Sequence, residues 1–170
     1  NKVARQANGS VMLSCGDTVL LSTACMAKND SDTDFFPLTV HYQEKFSSAG
    51  KTLGGFIKRE GRPSEKETLT SRMIDRPIRP LFPEGFNRET QILSYVLSYD
   101  REHQPEALAI VGASAALAVS DIPFSHTLAG VRVGRIDGEF VLNPNLEQQE
   151  KSDLDLLLAG TENAILMIEG

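Results

Sequence analysis

Phe56, Lys58, Arg59 and Arg62 stand close together in one loop-forming run, residues 51–63, between a strand-like and a helix-like segment. An aromatic face for a base and cations for phosphates are how a single strand of nucleic acid is held without strong sequence preference, and each stacked base contributes ~1–3 kcal/mol. Gly50, Gly54 and Gly55 permit the backbone turns that bring such groups near a strand of RNA. The competing reading of the same residues has Phe56 and Ile57 anchoring the loop in the core while the cations stay solvated.

A helix follows. Ser64 and Glu67 have the spacing of a capping box, in which two side chains satisfy two free backbone donors. Arg72, Arg76 and Arg79 are spaced i, i+4, i+7 and share a face of that helix if it continues past Pro77, a residue expected to end or bend it. Most of these arginines read as members of a structural ion-pair network, with Asp75 pairing Arg79. Arg79 also reads as able to reach a phosphate from the helix end.

The net charge of −6 argues against a nucleic-acid binder, but its distribution argues for one. Residues 51–79 hold eight Lys or Arg and four Asp or Glu, so this window is +4 and the remainder −10. A basic strip on an acidic body focuses an anion onto one place. Other motifs fail on particular positions. The Asp30-x-Asp32-x-Asp34 spacing opens like a calcium loop, but Phe35 and His41 occupy the positions that need glycine and glutamate. Gly50-Lys51-Thr52 lacks the P-loop's first glycine, since Lys45 stands there. Ser114 lacks the second glycine of a nucleophile elbow and reads as a core hydroxyl bonded to nearby backbone. His41, His103 and His126 have no ligand spacing and read as surface or strand filler. Cys15 and Cys25 read as reduced core residues of a cytoplasmic protein, and the longest apolar run is too short to cross a bilayer.

The elements that must position the loop are read from periodicity and turns. A hairpin over residues 11–27 turns at Gly16-Asp17, and a third strand spans 38–46. A strand over 91–99 does not alternate cleanly, which predicts cover on both faces. Pro105 starts a second helix, apolar all round and therefore buried. A second hairpin turns at Asp137-Gly138, residues 147–151 form a short helix or a loop, and a last strand pair surrounds residues 161–163. The pattern predicts an α/β (α+β) fold with a mixed sheet and packed helices, not a doubly wound parallel sheet.

Several of these stretches carry a resemblance: the run FPLTVHYQEKFSSAGKTLGGFIKREGRPSEKETLTSRMIDRPIRPLFPEGF, then ARQANGSV, AIVGASAALAVSDIPF, GVRVG with DGEFVLNP, and DLDLLLAGTENAILMIEG. Over nearly its whole length the chain resembles the first ribonuclease PH-like core domain of the bacterial polynucleotide phosphorylase family. The resemblance implies a ribonuclease PH-like, ribosomal protein S5 domain 2-like fold. It also implies a phosphate-dependent 3′-to-5′ exoribonuclease that releases nucleoside diphosphates from single-stranded RNA and can run in reverse. Inorganic phosphate is then the co-substrate, and Mg2+ is bound by acids of a second core outside this chain. No catalytic acid is therefore carried onto Asp75, Asp100 or Asp121.

The implied assembly is a cytoplasmic homotrimeric ring, with RNA degradosome components as further partners and no membrane. Residues 1–170 would be the first core, incomplete at both ends, with the second core, helical, KH and S1 domains elsewhere. In that family RNA passes a loop with two aromatics and two arginines. Here the position reads Phe56-Ile57-Lys58-Arg59: Ile57 removes one stacking face, and Lys58 replaces a planar fork with a point charge. The expected RNA-binding residues are Phe56, Lys58, Arg59, Arg62 and Arg79. The alternative is a non-catalytic RNA-binding or scaffold subunit of an exosome-like ring.

Overall fold

The computed structural model describes residues 2–54 and 60–170. Gly16 takes a left-handed φ of 55° and, with Asp17, joins β1 (Gly9–Cys15) to β2 (Thr18–Asp30) as an antiparallel hairpin in which Cys15 faces Thr18. β3 (Leu38–Glu44) stops earlier than its periodicity predicts, because residues Phe46–Ala49 wind a 3-10 turn instead. α1 (Glu65–Ile78) leads from β3 to β4 (Arg88–Ser98), which runs parallel to β3 and antiparallel to β2. The first sheet is mixed, with order β1-β2-β4-β3.

α2 (Pro105–Ala118) carries the chain away from this sheet with Pro105 in its first turn, as expected. Beyond it lies a second, wholly antiparallel sheet of order β6-β5-β7-β8. Its strands are β5 (Ala129–Ile136), β6 (Glu139–Leu142), β7 (Asp155–Gly160) and β8 (Ile165–Glu169). Asp137 and Gly138 both have positive φ, as a two-residue hairpin turn between β5 and β6 requires. Between β6 and β7 the chain forms a short helix, α3 (Leu146–Lys151), capped reciprocally by Asn145 and Gln148.

α2 packs on β1, β2 and β4 of the first sheet and on β5 of the second, which is why it can be apolar on every side. Ala109, Ile110, Ala113, Ala116 and Leu117 are all wholly buried in it. The approach is close enough to require glycine on both sides. A methyl at Gly112 would collide with Ser22 Oγ, and one at Gly130 would stand 2.8 Å from the carbonyl oxygen of Ala107. Ser114 Oγ accepts from the Leu128 amide at 2.7 Å, the backbone partner expected for it. The outer faces of both sheets leave Met12, Leu97, Phe140, Leu142 and Ile168 exposed.

Four expectations need correction. β4 does alternate: Thr90, Ile92, Ser94 and Val96 are buried, while Gln91 and Leu97 are exposed. The period is hidden in the sequence because two of the inward positions are hydroxyls; Ser94 satisfies its own against Ser22 Oγ at 2.9 Å. Pro77 does not end α1, which continues to Ile78 before tightening into a 3-10 turn at Arg79–Leu81. Cys15 and Cys25 are free but only half-buried.

His103 is the fourth correction, since it is not filler. Its Nδ1 lies 2.8 Å from Asp100 Oδ2, and Asp100 also accepts from the Thr18 hydroxyl and the amides of Asp17, Glu102 and His103. Burial opposes the charge on Asp100, but the His103, Glu102 and Thr18 donors outweigh it and hold the carboxyl well below the usual carboxylate range.

Candidate nucleic-acid interface

The cationic loop begins where β3 ends, and two glutamates hold its ends together. Glu67, at the third position of α1, accepts from the Ser64 amide at 2.7 Å and from the Glu44 amide at 2.9 Å. The Ser64 hydroxyl accepts from the Glu67 amide, so the capping box forms as its spacing predicts. One side chain thus starts the helix and ties it to the last residue of β3. The Tyr42 hydroxyl donates to Glu44 Oε1 at 2.6 Å, and the phenol is buried. Burial, then the Glu44 carboxylate, push that phenol far above its ordinary value.

Glu60 makes the second tie. It accepts from the Phe46 amide at 2.9 Å and from Lys45 Nζ at 2.7 Å. The hydrogen bond from Lys45, then that from the Phe46 amide, lower the Glu60 carboxyl, and the same hydrogen bond to Glu60 raises Lys45. Lys45 Nζ also lies 6.0 Å from the centre of the Tyr95 ring. The turn between the ties is closed by Gly50, left-handed at φ 66°, and by the Tyr99 amide donating to the Ser48 carbonyl at 3.0 Å. A cavity of about 400 Å3 opens between the two stems, with Phe46, Arg62 and Ser64 among its lining residues.

Arg62 is exposed on this cavity and makes no ion pair among the described residues. Phe56, Lys58 and Arg59 lie outside the described residues, as does Ile57. Of the two roles read for it, Arg79 takes up the structural one. Its Nε and Nη2 donate to the two Asp75 carboxylate oxygens, both at 2.7 Å. Its Nη1 and Nη2 reach the carbonyls of Phe36 and Leu38 at 2.9 and 3.1 Å. A guanidinium so committed pins α1 to the start of β3 and has little donor capacity left for a phosphate. This is the structural pairing that Asp75 suggests. Arg76 is likewise ion-paired, with Glu169, whereas Arg72 is exposed without an ion pair among the described residues.

Sequence reasoning misses two contributors. Phe46 reads as the end of a strand, yet the residue is 51 % exposed and lines the cavity, where an aromatic ring can serve as a stacking face. Glu60 gives no signal because its partners lie 14 and 15 positions away. No group of three His, Cys, Asp or Glu side chains among the described residues stands where it could hold a metal ion.

The two sheets coincide with two matched segments. Residues 1–123 match the model of the 3′ exoribonuclease family, domain 1, and residues 126–170 that of the same family, domain 2. The chain is 65 % identical to a polyribonucleotide nucleotidyltransferase of Protochlamydia amoebophila and 60 % identical to one of Geobacter sulfurreducens, over 99 % of its own length. It spans 24 % of the length of each of these curated relatives.

Among solved structures it is similar to rice (Oryza sativa) Rrp46, with a TM-score of 0.76 at 17 % identity, covering 96 % of this chain and 74 % of that one. It is also similar to a chain of the Archaeoglobus fulgidus exosome with RNA bound to the active site, with a TM-score of 0.72 at 17 % identity, covering 98 % and 73 %. These two likenesses speak for the ribonuclease PH-like fold alone. With family-model matches on both sheets, the chain belongs to the 3′ exoribonuclease family.

Proposed function

We propose that this chain is the first ribonuclease PH-like core of a phosphate-dependent 3′-to-5′ exoribonuclease, a polyribonucleotide nucleotidyltransferase. The full-length protein releases nucleoside diphosphates from single-stranded RNA, with inorganic phosphate as co-substrate, and runs in reverse to make polymer. Attack by phosphate on the 3′-terminal linkage belongs to a second core, which also holds Mg2+. The high identity to relatives bearing that name supports the reaction class. The assembly is a homotrimeric ring in the cytoplasm, with RNA degradosome components as further partners.

This core guides the RNA. The observation that carries this reading is the pair of glutamate ties. They hold the base of the loop while Arg62 and Phe46 remain exposed beside it. Phe56, Lys58 and Arg59 belong to the same run and add a base-stacking face and a grip on phosphates. The decisive assay uses the full-length protein, single-stranded RNA and phosphate, and measures nucleoside diphosphate. Phosphate-dependent release is expected. Its absence, with RNA binding intact, would identify a scaffold subunit instead.

A further inference from the structure

Lys45 and Phe46 converge on one carboxylate in the cavity between the loop stems. Lys45 Nζ stands 2.7 Å from Glu60 Oε2, and the Phe46 amide donates to Glu60 Oε1 at 2.9 Å. A cation beside a backbone N–H is a seat for an oxyanion, because the two donors meet two oxygens that share one negative charge. A phosphodiester presents such a pair of oxygens as a carboxylate does. Glu60 fills this seat from within the chain.

The other carboxylates of this cavity are bound differently. Both oxygens of Glu67 accept from backbone amides. Glu44 is held by the Tyr42 hydroxyl and by Lys66, which does not line the cavity. Among the described residues, Glu60 alone of these carboxylates is paired with a cation that lines the cavity. Arg62 lines it too, exposed and without an ion pair among the described residues. An anion that enters therefore finds one cation open and a second one taken. The taken one is held loosely. The side chains of Lys45 and Glu60 are 39 % and 30 % exposed, so water and a polyanion both reach the pair, and such surface pairs contribute little.

Resting on the RNA-guiding role given above, we propose that Glu60 is an internal competitor for RNA. A phosphodiester of the strand passing Arg62 takes over the Lys45 ammonium and the Phe46 amide, and the Glu60 carboxylate turns out to water. The Glu67 tie involves no cation, so it stays and keeps the loop stem joined to α1. The exchange weakens the hold on each passing phosphate, which lets the strand advance.

The test measures phosphate-dependent release of nucleoside diphosphate from single-stranded oligoadenylate by the full-length protein. Glu60→Gln, whose amide oxygen still accepts from Phe46, is expected to lower KM for the RNA about two- to five-fold, the scale of one exposed ion pair. KM for inorganic phosphate stays as in wild type. Lys45→Met raises KM for the RNA, and in that background Glu60→Gln loses its effect. This loss separates exchange on Lys45 from general repulsion between Glu60 and the strand. The proposal is overturned if Glu60→Gln leaves KM for the RNA unchanged or raises it, or lowers it equally with and without Lys45. A fall confined to KM for inorganic phosphate overturns it as well, by assigning the seat to the free anion. Wild type that releases no diphosphate would instead remove the reading on which the proposal rests.

Discussion

Glu60 organises the loop through hydrogen bonds that cross 14 and 15 positions, so removing its charge separates loop order from stability. Both it and Lys45 sit at the surface, where an ion pair contributes little to global folding. Glu60→Gln is expected to leave the thermal midpoint unchanged while proteolytic cleavage between residues 46 and 62 accelerates. Unchanged cleavage would show that the loop is held without this tie. Asp100 behaves differently, because five donors converge on it. Asp100→Ala should cost about 2–3 kcal/mol, the scale of hydrogen bonds to a charged group left without their acceptor.

The Asp100 carboxyl is depressed in the folded chain, so its contribution is fully present above the ordinary value near 4 and is lost as pH falls toward the folded value. Wild type should therefore lose stability between about pH 4 and 2 more steeply than Asp100→Ala in urea titrations. The i, i+3 spacing of Asp100 and His103 is visible in the sequence. Thr18, 82 positions from Asp100, is not visible as a partner, and without it the pair reads as surface.

At the scale of elements, α2 is the piece on which both sheets depend. Gly130 lets β5 approach its first turns, and a β-carbon there would meet the Ala107 carbonyl oxygen at 2.8 Å and Ile110 Cβ at 3.0 Å. Gly130→Ala should destabilise by about 1–3 kcal/mol, the range for overpacking a core that can shift only partly. A urea midpoint equal to wild type would mean that β5 moves away freely. α2 is legible because its run is long, apolar on all sides and opened by proline. The capping box of α1 and the turn at Asp137-Gly138 are legible because each is written within four residues. The division into two sheets is not, since alternation marks a strand without naming its partner. Thr90 and Ser94 conceal even the alternation of β4.

For the whole molecule, a body that is acidic overall presents basic groups around one loop. Arg62 is exposed there, and Arg59 belongs to the same run. In the full-length protein, Arg59→Ala with Arg62→Ala should weaken single-stranded RNA binding and flatten its dependence on salt, by about 0.7 of a slope unit for each phosphate of a single strand that is no longer neutralised. An unchanged slope would make these cations spectators. The clustering of basic residues in 51–79 is legible from composition, and Lys51 and Arg62 are exposed among the described residues. The commitment of Arg79 to Asp75 and two carbonyls is only half legible, through the i, i+4 spacing.

The order β1-β2-β4-β3 also has a temporal side. The strand that lies between β2 and β3 leaves the ribosome after both of its neighbours, and the Ser22–Ser94 hydrogen bond spans 72 positions. Until residue 98 has been synthesised, the nascent chain carries β2 and β3 with unfilled backbone donors and acceptors along the edges that β4 will occupy. Such edges recruit foreign strands. The half-made chain, rather than the finished one, is therefore the form most in need of a chaperone.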